Sequence, residues 1–173
     1  MLFTDENDPH VTVIERALTM RRHAGQVAFP GGGMEPADRS IVDAALREAQ
    51  EEVGLEPGRV EVLGQLPVAW VPASNYDVTP VLGVWDGGQH LQPANAAEVG
   101  AVHSLSIDRL ADPRTRVRGR HPGGYIGPAF QMGELFIWGF TGHLLDEALD
   151  LAGWARPWDR ERVVDVPHRF LRD

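Results

Sequence analysis

Three glutamates stand within five residues of one predicted helix, in the run Arg47-Glu48-Ala49-Gln50-Glu51-Glu52. At about 100° per residue, Glu48 and Glu52 are about 40° apart on the helix surface, and Glu51 is about 60° from Glu48 on its other side. One helix face therefore carries three carboxylates, opposite part of an apolar stripe. Such oxygen ligands suit a hard divalent cation such as Mg²⁺, which combines carboxylates with water and substrate phosphates. The alternative interpretation is a solvated acidic face.

A glycine-rich loop and a cluster of cations precede this helix. The backbone of Pro30-Gly31-Gly32-Gly33 can approach an anion closely, although three glycines can also form a simple hinge. Arg21-Arg22-His23, with Arg16 before it, is the densest positive cluster in an otherwise acidic chain. Its alternative interpretation is a solvated strand end. In combination, the cations, the loop and the carboxylates predict a site for a diphosphate bridged by Mg²⁺.

The spacing of these residues resembles a known family motif. The pattern Gly33-x5-Arg39-x7-Arg47-Glu48-Ala49-x-Glu51-Glu52-x-Gly54-Leu55 is similar to the Nudix box, G-x5-E-x7-R-E-U-x-E-E-x-G-U, in which U is aliphatic. Arg39 stands where the family has its first glutamate. That glutamate generally supports the site and is not the main metal ligand, so the departure affects the bracing of the loop more than metal binding. Asp38 and Glu35 are the candidates to replace it.

A second resemblance covers the segment before the box. The run Arg16-Ala17-x-x-Met20-Arg21-x-His23-x-Gly25-Gln26-Val27-Ala28-Phe29-Pro30-Gly31-Gly32 is similar to the signature of the coenzyme A pyrophosphatase branch. Ile14 departs from that signature, which usually has Ser or Thr there, and the clear match covers Val13–Leu55. The resemblance implies an α/β/α sandwich. It also implies hydrolysis of coenzyme A or its thioesters to 3′,5′-adenosine diphosphate and 4′-phosphopantetheine or its acyl form.

The resemblance assigns the catalytic roles to the three glutamates. Glu48 and Glu52 would hold one or more Mg²⁺ or Mn²⁺ ions, and Glu51 would be a further ligand or the catalytic base. Glu98 and Glu134 are alternative bases.

Further residues are implied to bind the substrate or support the site. Arg47 would support the carboxylates, because it can pair with Glu51 four residues later. Gln26 either contacts the substrate or pairs with a backbone group. The expected substrate-binding residues belong to the upstream signature and the glycine loop: Arg16, Arg21, His23, Gln26, Gly32 and Gly33.

The hydrophobic pattern predicts the elements that position these residues. Strands are expected at Val11–Ile14, Gln26–Phe29, Val60–Gln65, Val68–Val71, Val78–Trp85, Gly100–Ser104 and, as a strand or buried segment, Glu134–Gly139. Helices are expected at Ser40–Val53, Ile107–Ala111 and Thr141–Leu151.

The same pattern leaves some segments without regular structure. Residues 112–130, rich in Gly and Pro, predict a long surface loop, and the tail 154–173 is left unassigned. Met1-Leu2-Phe3 resembles the end of a strand, which raises the hypothesis of a clipped first strand. Trp70 is expected in the core, with stacking on adenine beside Tyr76 as the alternative. The predicted fold class is α/β (α+β) with a mixed sheet, in a single domain spanning 1–173.

Composition excludes several classes of protein. The chain has no cysteine, which excludes a disulfide scaffold and a thiolate metal site. Its 16 basic and 25 acidic residues give a net charge of −9, which argues against binding to duplex nucleic acid or an anionic membrane. No apolar run approaches the roughly 20 residues of a membrane span. We expect a cytoplasmic enzyme for a small-molecule nucleoside diphosphate, with a homodimer as an open possibility.

Two other functions remain open at this point. One is a Nudix pyrophosphatase for ADP-ribose, a dinucleotide cofactor or a damaged nucleoside triphosphate, because a fold and a box alone do not decide the substrate. The other is a catalytically silent Nudix domain that senses a nucleotide. The presence of Glu48, Glu51 and Glu52 favours an active enzyme.

Overall fold

A computed structural model describes residues 1–71 and 75–171 of the chain. Its helices are α1 (Ile41–Val53), α2 (Ile107–Ala111) and α3 (Gly139–Leu151), with single 3₁₀ turns at Pro57–Arg59 and His168–Phe170. Its strands are β1 (Leu2–Thr4), β2 (His10–Arg16), β3 (Val27–Ala28), β4 (Val60–Gln65), β5 (Ala69–Val71), β6 (Tyr76–Val78), β7 (Val81–Trp85), β8 (Val99–Ser106), β9 (Arg116–Arg120), β10 (Ile126–Met132), β11 (Leu135–Ile137) and β12 (Val163–Asp165).

The main sheet is mixed and is built around β2. Strand β8 pairs with one side of β2, whereas β1 and β3 pair with different stretches of its other side. Strand β7 runs parallel to β1, and β4 closes the sheet antiparallel to β7. The predicted strand Val78–Trp85 is divided in two, because Thr79 and Pro80 interrupt it between β6 and β7.

Helices cover both faces of this sheet. Alternate side chains of β2 point to opposite faces, so Val13 joins a core with α2 and α3 while Ile14 joins a core with α1. The first core includes Leu145 of α3, and the second includes Val53 of α1. The arrangement is the expected α/β/α sandwich in a mixed α+β fold.

The segment 112–130 is not a surface loop, and that prediction was wrong. Strands β9 and β10 pair antiparallel across it, and Val117, Ala129 and Phe130 are fully buried. Its Gly and Pro residues misled the prediction. Pro128 can lie within β10 because β11 pairs only with Phe130–Met132, so the missing N–H of the proline leaves no partner unsatisfied on that side.

The tail belongs to a second sheet, in which the strands lie in the order β11-β10-β9-β12. Strand β12 runs parallel to β9, and the following 3₁₀ turn buries Phe170, which is 1% exposed, against Phe136. Trp70 was predicted in the core, but on hairpin β5–β6 it is 61% exposed. In the part of the chain that the structure describes, no helix is long and apolar enough to cross a membrane.

Candidate active site

Helix α1 begins and ends where its capping residues predict. The Ser40 hydroxyl accepts the Asp43 N–H at 3.1 Å, and Gly54 ends the helix in the left-handed conformation at φ 72°. The capping box is altered, because the Asp43 carboxylate accepts the N–H of Arg39 instead of that of Ser40. These caps fix the helix that carries the three glutamates.

Arg47 joins the glycine loop to the carboxylates of α1. Its guanidinium donates from Nη2 to the Gly33 carbonyl oxygen at 2.9 Å and from Nη1 to Glu48 Oε1 at 3.0 Å. The same Nη1 donates to Glu51 Oε2 at 3.2 Å. Arg47 therefore joins the loop and two glutamates in one hydrogen-bond network.

Of the two candidates to replace the motif glutamate, Asp38 pairs with Arg47. Its carboxylate accepts hydrogen bonds from Nε and Nη2 of Arg47, which hold the pKa of Asp38 below its ordinary value. Glu35, the other candidate, lies 4.0 Å from Arg47 and is largely exposed. Arg39 itself points into solvent, where it is 91% exposed and pairs with Asp43. Although Arg39 stands where the motif has glutamate, Arg47 therefore still pairs with a carboxylate, that of Asp38.

Glu52 is buried among the apolar residues of α1, with 4% of its surface exposed. Its Oε2 accepts the N–H of Gly31 at 2.9 Å. Burial raises the pKa of Glu52 to about 7, and the Gly31 N–H lowers it while the nearby charge of Glu48 raises it further. The carboxylates therefore do not all lie opposite the apolar stripe, because Glu52 lies within it.

The backbone of Gly32 lies close to the carboxylate of Glu48. A Cβ atom placed on Gly32 would overlap the carboxylate of Glu48, whereas one on Gly33 would meet no atom within 4 Å. A side chain at position 32 would therefore displace the Glu48 carboxylate from its position beside the loop. Gly31, which bonds Glu52, was missed among the expected site residues, although it stands in the same glycine run.

The donor set of α1 fits a divalent cation. The negative charge of Glu48 raises the pKa of Glu52, and a cation bound by both carboxylates would relieve that repulsion. In the ranges 1–71 and 75–171, no three acidic or histidine side chains converge on a common point. The reason is local, since Arg47 holds Glu48 and Glu51, and Gly31 holds Glu52. Glu51, at 57% exposure, is the most exposed candidate ligand of the three.

Arg16 and Glu98 lie close to Glu52. The positive charge of Arg16 lowers the pKa of Glu52, and the negative charge of Glu98 raises it. The Arg16 Nη2 donates to the sulfur of Met20 at 3.2 Å, while its buried Nε has no hydrogen-bond partner in the described structure. Of the two alternative bases, Glu98 is thus beside the carboxylates. Glu134 lies on the β10–β11 turn, 3.7 Å from Arg169.

The upstream signature loop is tied to the C-terminal tail. Gln26 Nε2 donates to the carbonyl oxygen of Phe170 at 3.1 Å, which supports the second interpretation of Gln26. Its Oε1 lies 3.1 Å from His23 Nδ1, and because an amide oxygen only accepts, Nδ1 carries the proton. Arg21 is exposed on the same loop. The contact with Phe170 joins residues 144 positions apart and has no signal in the sequence.

The chain is similar to known proteins in both sequence and fold. A NUDIX domain family model matches residues 1–123. The uncharacterized Nudix hydrolase NudL of Cronobacter sakazakii is 37% identical over 153 residues, which cover 81% of this chain and 73% of NudL.

Solved structures of Nudix hydrolases share the fold. RenU from M. Smegmatis superposes with a TM-score of 0.60 at 14% identity, covering 92% of this chain and 86% of RenU. A Nudix hydrolase from Nitrosomonas europaea has a TM-score of 0.55 at 14% identity, covering 95% of this chain and 76% of its own. With the glutamate helix, its glycine loop and the bracing arginine in place, this chain belongs to the Nudix hydrolases, enzymes that act on pyrophosphate bonds and generally need divalent metal ions.

Proposed function

We propose that the chain is a diphosphatase that uses Mg²⁺ or Mn²⁺ to hydrolyse coenzyme A or its thioesters. The products are 3′,5′-adenosine diphosphate and 4′-phosphopantetheine or its acyl form. The observation that carries the proposal is the position of Arg16. This first residue of the coenzyme A-type signature lies within electrostatic reach of Glu52 in the Nudix box. This proximity supports one substrate for the signature and the box.

In this proposal the acidic residues would bind the metal and accept a proton from the attacking water. Glu48 and Glu52 bind the cation, with Glu51 as a further ligand or as the base. A bound cation supplies Lewis acidity to the diphosphate and lowers the pKa of a coordinated water. The oxygen of a water molecule forms a bond to one phosphorus, the bridging P–O bond breaks in line, and the second phosphate leaves; a cation held by Glu48 and Glu52 would supply the charge stabilisation. The proton of the water passes to the carboxylate of Glu51, or to that of Glu98.

The basic residues orient the substrate. Arg16 and Arg21 offer guanidinium forks for the diphosphate or the 3′-phosphate, which they can bind in a bidentate manner. His23, held through Nδ1 by Gln26, is a further candidate contact for the substrate on the same loop. Gly32 and Gly33 let the phosphates approach the loop backbone.

A panel of diphosphates tests this proposal. Coenzyme A, ADP-ribose, a nicotinamide dinucleotide and an oxidised nucleoside triphosphate are incubated with the protein in Mg²⁺ and in Mn²⁺, and the products are identified by mass spectrometry. We expect coenzyme A to have the highest kcat/KM. The variant Glu52→Gln should lose most turnover, and Glu61→Gln, a change to an exposed glutamate of β4, should retain it.

Two results would contradict the proposal. Preference for ADP-ribose, a dinucleotide or the oxidised nucleotide would assign the site to another diphosphate. Binding of a nucleotide without release of any product would identify a sensing domain.

A further inference from the structure

A groove of about 880 Å³ opens beside the glutamate helix. Its walls come from the loop after β3, the first half of α1, strands β4 and β7, hairpin β5–β6 and the start of α3. Representative lining residues are Ala28, Phe29, Ile41, Ala45, Val62 and Phe140. The volume lies within the roughly 300–1,000 Å³ of small-molecule sites, so the groove can hold an extended organic group.

The groove is continuous with the proposed diphosphate site. Gly31 and Gly32 line it, and these are the residues that contact the carboxylates of Glu52 and Glu48. The glycine loop therefore borders the groove on one side and contacts the carboxylates on the other. A ligand with its diphosphate at this loop has the groove next to it.

The chemistry of the groove suits an apolar group and not a phosphate. In the described part of the chain, no arginine, lysine or histidine lines it. Three apolar or aromatic side chains along it remain exposed, Met34 at 55%, Ile41 at 36% and Tyr76 at 69%. Exposed side chains of this kind, clustered along a groove, mark a binding surface. Thr79 and Thr141 add a few polar groups, as in other mainly apolar ligand sites.

We propose that this groove binds the pantetheine arm and the acyl chain of a thioester substrate, which makes the enzyme selective for acylated coenzyme A. The inference rests on the proposed function, because it assigns the two halves of that substrate. The phosphorylated nucleotide lies on the side of Arg16 and Arg21, where the cations are. The acyl half lies in the groove, where apolar side chains remove it from water.

A chain-length series tests this assignment. Values of kcat/KM are measured for unacylated coenzyme A and for its acetyl, hexanoyl and decanoyl thioesters. We expect kcat/KM to rise with chain length, by up to about fourfold for each methylene that the groove buries. A flat or falling series, in an enzyme that does hydrolyse coenzyme A, would overturn the groove assignment and leave the proposed function standing.

Variants that fill the groove locate the acyl chain. Ala45→Phe adds an aromatic ring to the wall formed by α1, and Ile41→Trp does so one turn earlier, so the second variant decides if the first is unfolded. Both should flatten the dependence of kcat/KM on chain length. Ala152→Phe, a matched change at an exposed site after α3, should keep the parental dependence. A parental dependence in both groove variants would overturn the proposal.

Binding without turnover separates the two proposals. Coenzyme A and its decanoyl thioester are titrated into the protein in EDTA by calorimetry. Tighter binding of the decanoyl thioester, lost in Ala45→Phe or Ile41→Trp, supports the groove even if the chain hydrolyses neither compound, and in that case only the proposed function has failed. Equal affinities for the two compounds would contradict the groove assignment.

Discussion

Arg47 of α1 and Asp38 of the preceding loop form a bidentate ion pair. Arg47 Nε lies 3.1 Å from Asp38 Oδ1, and Nη2 lies 3.0 Å from Oδ2. The Asp38 side chain is 5% exposed, whereas the neighbouring Arg39 is 91% exposed. The box arginine thus pairs with an aspartate one residue before the position where the motif has its first glutamate.

Removing this partner should impair the site. We expect Asp38→Asn to lower kcat/KM by about 10–100-fold, because Arg47 then no longer holds the loop and the glutamates in register. Its Tm should also fall, as measured by calorimetry. Arg39→Ala is the control, since an exposed ion pair contributes little to stability. Equal effects of the two changes would show that Asp38 does not brace the site.

The stability conferred by Asp38 should depend on pH in the acid range. The pKa of Asp38 is lower in the folded protein than in the unfolded chain, so its contribution is complete above the unfolded value and is lost as pH falls through the folded value. The Tm difference between the parent and Asp38→Asn should therefore be large at pH 7 and shrink on acidification. A difference that grew as pH fell would contradict this sign.

Glu52, unlike Asp38, should lower the stability of the metal-free protein as pH rises. Because burial raises its pKa from 4.5 to about 7, the folded state is penalised as pH rises from 4.5 to 7, and the full penalty remains above pH 7. In EDTA at pH 8, Glu52→Gln should be more stable than the parent, by on the order of 3 kcal/mol at most. The two proteins should converge near pH 5.

Urea unfolding in EDTA measures this difference, and Glu51→Gln is the matched control because Glu51 is 57% exposed. A Glu52→Gln variant that is less stable than the parent at pH 8 would refute the burial argument.

Gly32 should tolerate no side chain in the active enzyme. We expect Gly32→Ala to reduce kcat/KM at least tenfold with little change in Tm, because the added Cβ displaces the flexible end of Glu48 and not a backbone atom. Gly33→Ala should have a smaller effect, since its Cβ meets nothing within 4 Å. Gly58→Ala, also in open space, controls for the loss of a glycine. Parental activity in Gly32→Ala would show that the loop need not approach Glu48.

The tail should be essential to the fold. Phe170 is 1% exposed, so Phe170→Ala should cost about 3–5 kcal/mol of unfolding free energy. Leu151→Ala, at a residue that is 74% exposed, should cost less than about 0.5 kcal/mol. Urea titrations of both variants measure the difference. A small loss for Phe170→Ala would mean that the tail packs only weakly on the second sheet.

Local signals in the sequence predicted the glutamate helix well. Ser40 and Gly54 marked its ends because caps act on neighbouring backbone groups. The spacing of Arg47 and the three glutamates indicated the candidate site because all four residues lie on one helix. The burial of Glu52 was not predicted, since it depends on the loop before the helix, whose Gly31 N–H bonds the Glu52 carboxylate.

Long-range packing was beyond local signals. The strands within 112–130 were missed because their turn residues outweighed a short apolar alternation, and because their pairing with β11 and β12 involves residues outside the segment. The bond from Gln26 to Phe170 links distant segments through a backbone carbonyl, which any residue supplies. Trp70 was expected in the core because it is aromatic, but β5 and β6 form a separate two-stranded sheet, where its side chain is exposed.

The most direct test of the account is the position of the metal. A crystal of the protein with Mn²⁺ and a slowly hydrolysed coenzyme A analogue gives an anomalous difference map that locates the ion. We predict a peak with carboxylate oxygens of Glu48 and Glu52 at about 2.1 Å, in contact with the diphosphate. A peak bound by other residues, or oxygens of Glu48 and Glu52 directed away from it, would contradict the account.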